Sequence, residues 1–266
     1  MRIVCFDVSV LRAYFDGSQT DGECVTLACL AGDEAVWSEL LEAWEQVRKE
    51  RGNPPSLHMT DAMALRGDFA QWTSDARDFL VDGFLGVLNN FRNHPRLHSF
   101  SCTVDLVAHE RWKNIRRHPS PERLCARFVV PHILDWYGKF DDLLLLPNSV
   151  DFFFDRSEPF MRHIHADWTS KQIRNRYLGW RLIRNITPAV AESTPELQIT
   201  DMIAWGRNRL MSGSHWETDQ HYATAVRAAN TVQFLHRFAD EKALAKSNYR
   251  EEGFEALNLQ PRKSRA

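Results

Sequence analysis

The sequence lacks several features that would place it in a special class of protein. Its five cysteines include no Cys-x-x-Cys pair and their number is odd, which indicates buried thiols in a reducing cytoplasm. It has no apolar signal segment and no run of membrane-spanning length, so we expect a cytoplasmic protein without a membrane partner. Its 33 Lys and Arg residues nearly balance 35 Asp and Glu residues, so no global charge attracts nucleic acid.

Internal repeats and low-complexity linkers are also missing, so we expect one domain over residues 1–250 and a polar tail over 251–266. Short apolar runs alternate with amphipathic helical patterns, which predicts an α/β mixed sheet with flanking helices. The predicted strands are 2–8, 24–30, 98–105 and 150–154. The predicted helices are 33–51, 69–92, 121–140, 158–169, 196–211 and 219–246. The predicted turns and loops include 11–23, which holds two Asp-Gly pairs, and 111–123.

Three aspartates stand where an apolar element ends or a helix begins. Asp7 lies in the first predicted strand, Asp155 follows the strand of Phe152 to Phe154, and Asp201 lies in the early turns of a helix. Such carboxylates can converge at one sheet edge and bind Mg²⁺ or Mn²⁺ through oxygen. The alternative is that the two strand residues merely terminate strands and that Asp201 is solvated, and spacing alone favours this alternative.

Four short motifs, in order along the chain, change that balance. They are Asp7-Val8-Ser9, LHMTD at 57–61, FFFDRSE at 152–158 and LQITDMIAW at 197–205. Together they resemble the bacterial family named domain of unknown function 3800, over roughly residues 1–212. The resemblance implies a ribonuclease H-like fold and a metal-dependent nuclease whose catalytic and metal-binding residues are Asp7, Asp155 and Asp201. The family has Glu where this chain has Val8, which implies a diverged and partly degenerate metal site.

Four further residues are candidates for supporting roles. His58 and Asp61 match a motif of the family, and His58 would orient a phosphate or shuttle a proton, or the pair would simply hold a loop. Gln198 would orient Asp201, or be an ordinary exposed helix residue. Glu158 would replace the missing carboxylate, or belong to the first turn of the next helix.

A basic segment at 170–185 is the candidate nucleic-acid interface. It contains Lys171, Arg174, Arg176, Arg181 and Arg184, with Tyr177 and Trp180 among them. Basic side chains neutralise phosphates and aromatic rings stack on bases, although such a segment is more often a solvated surface.

The leading hypothesis is therefore a divalent-metal-dependent nuclease or phosphodiesterase that acts on nucleic acid. The first alternative is a non-catalytic protein of the same fold that binds nucleic acid or a protein partner. The second is an enzyme that acts on a small phosphorylated molecule. Val8 favours the first alternative, whereas the three aspartates favour the nuclease.

Overall fold

The computed structural model describes residues 10–20, 22–116, 118–141, 149–156, 158–212, 221–232 and 234–246. They form a six-stranded mixed sheet with helices on both faces, so the predicted α/β class is confirmed. The strands are β1 Leu11–Thr20, β2 Cys24–Asp33, β3 Leu97–Asp105, β4 Val150–Asp155, β5 Ile183–Ala189 and β6 Phe234–Ala239. The helices are α1 Glu34–Glu50, α2 Met59–Ala64, α3 Ser74–Asn90, α4 Leu106–Arg116, α5 Pro121–Asp141, α6 Phe160–Thr169, α7 Lys171–Arg176, α8 Pro195–Met211, α9 Tyr222–Ala229 and α10 Glu241–Lys246. None of these helices has the length and apolar character that crossing a membrane requires.

The strands lie in the order β5-β4-β1-β2-β3-β6. The first three strands are antiparallel neighbours, while β4 runs parallel to β1, β5 parallel to β4 and β6 parallel to β3. The predicted strands 24–30, 98–105 and 150–154 fall within β2, β3 and β4 of this one sheet. The predicted strand 2–8 lies outside the described residues.

The first described strand occupies a segment that the sequence analysis assigned to turns. Asp16-Gly17 was predicted as a turn, but both residues lie inside β1. The true reversal follows Thr20, where the Glu23 amide donates to the Thr20 carbonyl and Gly22 has a φ of 72°. A left-handed backbone of this kind favours glycine. The apolar alternation of Leu11, Ala13 and Phe15 was the overlooked signal of the strand.

Each face of the sheet packs against its own set of helices, and the alternation of side chains along β1 sends neighbouring residues to opposite faces. Phe15 packs with α5 and α6, whereas Tyr14 packs with α1, α3, α8 and α9. Helix α8 crosses this second face, and the Asn208 side-chain amide donates to the carbonyls of Ser18 and Cys24. These hydrogen bonds fix the helix over β1 and β2.

Two further predicted elements were wrong in part. The predicted helix 219–246 is divided into α9, β6 and α10, because Phe234–Ala239 pairs with β3 and extends the sheet. The predicted loop 111–123 contains the end of α4 and the start of α5. Strand β5 was not predicted, since its position at the sheet edge requires few apolar side chains and tolerates Pro188.

Candidate functional site

Two neighbouring strands place acidic side chains side by side on the face covered by α8. Phe15 of β1 pairs with Phe154 of the parallel strand β4, so the residues that follow them, Asp16 and Asp155, are also adjacent. Neighbouring strands lie roughly 5 Å apart, which brings the two carboxylates into the same small region. Asp16 is buried, with 9% of its surface exposed, while Asp155 is half-buried and accepts a hydrogen bond from the Ala191 amide at 3.2 Å.

A third carboxylate approaches from the loop after β4. The amide of Glu158 donates to the Asp155 carbonyl, and its carboxylate accepts a hydrogen bond from the Gly17 amide. A Cβ atom at position 17 would collide with the Glu158 carboxylate and with the Phe160 ring. Glycine is therefore needed at this position for close approach rather than for a positive φ.

The fourth carboxylate, that of Asp201, is supplied by α8. Asp201 is only 7% exposed, and its Oδ2 accepts a hydrogen bond from the Met59 amide at 2.6 Å. The carboxyls of Asp16 and Asp201 are close enough to share a hydrogen bond. Asp16, Asp155, Glu158 and Asp201 are called the acidic cluster below.

The acidic cluster resists full ionisation. Burial raises the pKa of Asp16 well above its usual value, and the charges of Asp201 and Glu158 raise it further. Burial likewise raises the pKa of Glu158 to about 7, although the Gly17 amide opposes the shift. Burial also raises the pKa of Asp201, against the opposing effects of His58 and the Met59 amide. At neutral pH the cluster therefore retains protons that a bound cation could displace.

His58 stands at the mouth of the cluster. It directly precedes α2, its side chain is 59% exposed, and its Nδ1 lies 3.3 Å from Asp61 Oδ2. Its charge influences both Asp201 and Glu158, so the imidazole is close enough to act on the same site. The pair lies at a loop end with its imidazole near the carboxylates, and the choice between a role with phosphate or proton and a role in holding the loop stays a prediction.

Gln198 is buried rather than exposed, and its side chain contacts backbone and not Asp201. Its Oε1 accepts a hydrogen bond from the Leu57 amide at 3.0 Å, and its Nε2 donates to the Ala191 carbonyl at 2.9 Å. The alternative that Gln198 is an ordinary exposed helix residue is therefore wrong, while its role in orienting Asp201 stays a prediction.

The structure brings together three of the acidic residues singled out in the sequence, namely Asp155, Glu158 and Asp201. Asp7 and Val8 lie outside the described residues. The sequence analysis assigned Asp16 to a turn. Asp16 instead lies on β1, the first described strand, and supplies the acidic side chain of that strand to the cluster. Asp16 and Glu158 bring the acidic cluster to four carboxylates, and the deficit inferred at Val8 stays a prediction. The motif Asp16-Gly17-Ser18 after an apolar alternation was the available signal.

The basic segment forms several elements rather than one surface. It spans α7, a short 3-10 turn at Leu178–Leu182 and the start of β5. Its aromatic residues are engaged in the fold, since Trp180 is buried and the Tyr177 hydroxyl donates to Pro131 and Asp135. The buried Trp180 ring is therefore not accessible to a base in this conformation.

The basic side chains themselves differ in their surroundings. Arg184 forms a two-pronged ion pair with Asp151, whereas Lys171, Arg174 and Arg181 are exposed and form no ion pair with another described residue. The side chain of Arg176 is outside the described part of the structure. Asp151 lies four residues before Asp155 on β4, so this region is about 13 Å from the acidic cluster.

Within the described residues, no group of three or more His, Cys, Asp or Glu side chains is already arranged to hold a metal ion. Searches of protein-family models, curated proteins and solved structures find no match to this chain. The resemblance drawn from the motifs therefore stays a prediction.

Proposed function

We propose that this chain is a divalent-metal-dependent phosphodiester hydrolase of ribonuclease H-like fold that acts on nucleic acid. The observation that carries the proposal is the convergence of Asp16, Asp155, Glu158 and Asp201 at one place on the sheet. Antiparallel first strands with acidic side chains on two central strands and on a covering helix also agree with the fold that the sequence motifs imply.

The carboxylate oxygens of the acidic cluster are ligands of the chemical type that a hard divalent cation binds. Mg²⁺ and Mn²⁺ prefer carboxylate oxygens, and all four side chains supply them. No Lys or Arg forms an ion pair with Asp16 or Asp201 among the described residues, so positive charge is lacking where two carboxyls are buried.

Asp16, Asp155 and Asp201 would hold the cation, which would lower the pKa of a bound water and polarise the phosphate. Glu158, whose pKa of about 7 leaves it partly ionised at neutral pH, would accept the proton of the attacking water. His58 at the mouth would donate a proton to the leaving oxygen, with Asp61 fixing the orientation of its ring.

The substrate class follows from the exposed groups near the cluster. Arg156 is exposed and directly follows Asp155, so it would contact a phosphate beside the scissile one. The segment with the exposed Lys171, Arg174 and Arg181 leads into β5 at the opposite end of β4 from Asp155, and these side chains would contact phosphates away from the reaction. A polymer with repeated phosphates would contact both sets of basic side chains at once, whereas a small phosphorylated molecule would contact only Arg156.

The test is cleavage of labelled single- and double-stranded DNA and RNA, with Mg²⁺, with Mn²⁺ and with a chelator. Bis(p-nitrophenyl) phosphate is included as a small diester, and Asp201→Asn as the variant that removes a charge with little change in shape. We expect cleavage of at least one polymer with metal, none with the chelator, and none by Asp201→Asn.

Three outcomes would contradict the proposal. Cleavage that persists in chelator or in Asp201→Asn would place the reaction elsewhere. Hydrolysis of the small diester but of no polymer would favour the enzyme of small phosphorylated molecules. Tight binding of nucleic acid without any cleavage would identify the non-catalytic alternative.

A further inference from the structure

Gln198 occupies a position between two loops that the proposed chemistry does not use directly. It is 4% exposed on α8, and both ends of its side-chain amide bind backbone groups of other segments. One segment is the chain before α2, and the other is the short turn at Ala191–Ser193. A buried amide that is satisfied on both sides by long-range partners constrains both of them.

Each of these two segments also donates a backbone hydrogen bond to a different carboxylate of the acidic cluster. The Met59 amide donates to Asp201 at 2.6 Å, and the Ala191 amide donates to Asp155 at 3.2 Å. Gln198 binds the Leu57 amide two residues before Met59, and it binds the carbonyl of Ala191 itself. A continuous series of hydrogen bonds therefore connects Asp201 to Asp155 through Gln198.

We infer that Gln198 is a positioning residue, which clamps the Leu57–Met59 segment and the Ala191 turn to α8 and so fixes Asp155 relative to Asp201. The Gln198 clamp also holds the backbone on the amino-terminal side of His58, while Asp201 holds the carboxy-terminal side. His58 is thus the exposed residue between two anchored neighbours. The consequence for catalysis rests on the proposed function, whereas the clamp itself can be measured on backbone amides.

The chain offers substitutions that separate the two halves of the clamp. Gln198→Leu removes both hydrogen bonds at nearly constant size. Gln198→Glu keeps an acceptor for the Leu57 amide and, when ionised, loses the donor to Ala191. Ser193→Ala is the matched control, because Ser193 is exposed and its hydroxyl donates only to the Val190 carbonyl of the same turn.

Amide hydrogen exchange measured by NMR reports on the clamp without any metal or substrate. In Gln198→Leu, we expect the protection of the Met59 and Ala191 amides to fall by about tenfold, as the loss of a buried hydrogen bond implies. In Gln198→Glu, only Ala191 should lose protection, and Met59 should stay within about twofold of the wild type. Ser193→Ala should leave Met59 unchanged.

Protection of Met59 and Ala191 that stays at the wild-type level in Gln198→Leu would overturn the inference. The Phe100 amide in β3 monitors global stability. If it loses protection to the same extent in Gln198→Leu, the split response of Gln198→Glu decides, and equal effects on Met59 and Ala191 there would reject the clamp. Cleavage by the same variants tests the proposed function separately, with kcat expected to fall more than KM rises.

Discussion

Two aspartates on the same face of β4 have opposite surroundings. Asp151, at the start of the strand, is buried and bound by Arg184 and by the Asn185 side chain. Asp155, at its end, lies beside Asp16 and Glu158, which are themselves acidic. A carboxylate matched by a cation contributes to the fold, whereas carboxylates gathered together raise the energy of the folded state.

Asp167 is a second carboxylate with cationic partners, and it is more deeply buried than Asp151. Asp167 of α6 is 1% exposed and forms ion pairs with Arg123 at 2.7 Å and Arg127 at 3.1 Å, both from α5. Burial of charge is thus possible in this protein where a partner is provided. Asp16 and Asp201 are also buried, but neither forms an ion pair with a Lys or Arg of the described residues, and such burial of charge is common at functional sites.

The strongest test of the comparison removes one carboxylate charge from each region, at Asp16 in the acidic cluster and at Asp151 in the ion pair with Arg184. Asp16→Asn should lower metal-dependent cleavage by at least about a hundredfold, because it removes a ligand oxygen charge from the cluster. Asp151→Asn should leave the rate nearly unchanged, since it lies about 13 Å away along β4. The two rates are compared under identical metal concentrations. Equal losses would mean that the acidic cluster has no special role.

The free energy of unfolding should respond in opposite directions in the two kinds of region. Loss of a paired carboxylate should lower it, and loss of a clustered carboxylate should raise it. Asp167→Ala should lower the free energy of unfolding by about 3 kcal/mol, because it leaves two partly buried arginines without their shared carboxylate. Asp16→Asn should raise the stability of the metal-free protein at pH 8 by on the order of 1–3 kcal/mol, because it removes a buried carboxyl from a like-charged group. Urea unfolding of each variant measures both effects.

The pH dependence of the free energy of unfolding tests independently whether ionisation of the cluster destabilises the folded state. The folded-state pKa values of Asp16, Asp201 and Glu158 are raised, so the folded state binds more protons than the unfolded state. The contribution of Glu158 to stability is therefore fully present below about pH 4 and is lost as the pH rises through about 7, and the raised pKa values of Asp16 and Asp201 act in the same direction. Asp16→Asn should flatten this fall, and a wild-type stability that increased over the same window would contradict the raised pKa values.

The sequence predicted the parts of the fold that have strong local patterns. The helix predicted over 33–51 matches α1, and the apolar strands β2 to β4 and helix α8 were also predicted correctly. Strands β5 and β6 were missed because edge strands are stabilised by pairing with β4 and β3 rather than by their own apolar content. Propensity alone does not show such long-range pairing.

The site was predicted in part for a related reason. Asp155, Glu158 and Asp201 follow recognisable apolar elements, so their positions could be inferred. Asp16 was missed because Asp-Gly is the commonest turn signal, and the need for Gly17 arises only when Glu158 folds back over β1. The hydrogen bonds of Gln198 involve loops far apart in sequence and could not be inferred from spacing.

The close contact over Gly17 can be tested against a glycine in open surroundings. Gly17→Ala should displace the Glu158 carboxylate and cost about 1–3 kcal/mol, since the added methyl group has no space. Gly86→Ala should instead stabilise the protein by about 0.5–1 kcal/mol, because Gly86 lies exposed within α3 and a methyl group meets nothing. Thermal unfolding of both variants checks the contrast, and equal shifts would show that Glu158 does not lie over β1.

The smallest expected effects concern the basic segment. In this segment Arg184 forms an ion pair with Asp151, whereas Arg174 and Arg181 are exposed and form no ion pair with another described residue. If nucleic acid binds this surface, the double substitution of Arg174→Ala and Arg181→Ala should reduce the slope of log K against log salt by about 2. Arg184→Ala should change the slope by much less than about 1, because Asp151 already neutralises this guanidinium. Fluorescence anisotropy with a labelled oligonucleotide over a salt series measures each slope, in the presence of Ca²⁺ to prevent turnover. An unchanged slope in the double variant would make the segment an ordinary solvated surface, and an equal change in Arg184→Ala would show that the ion pair with Asp151 opens when phosphate binds.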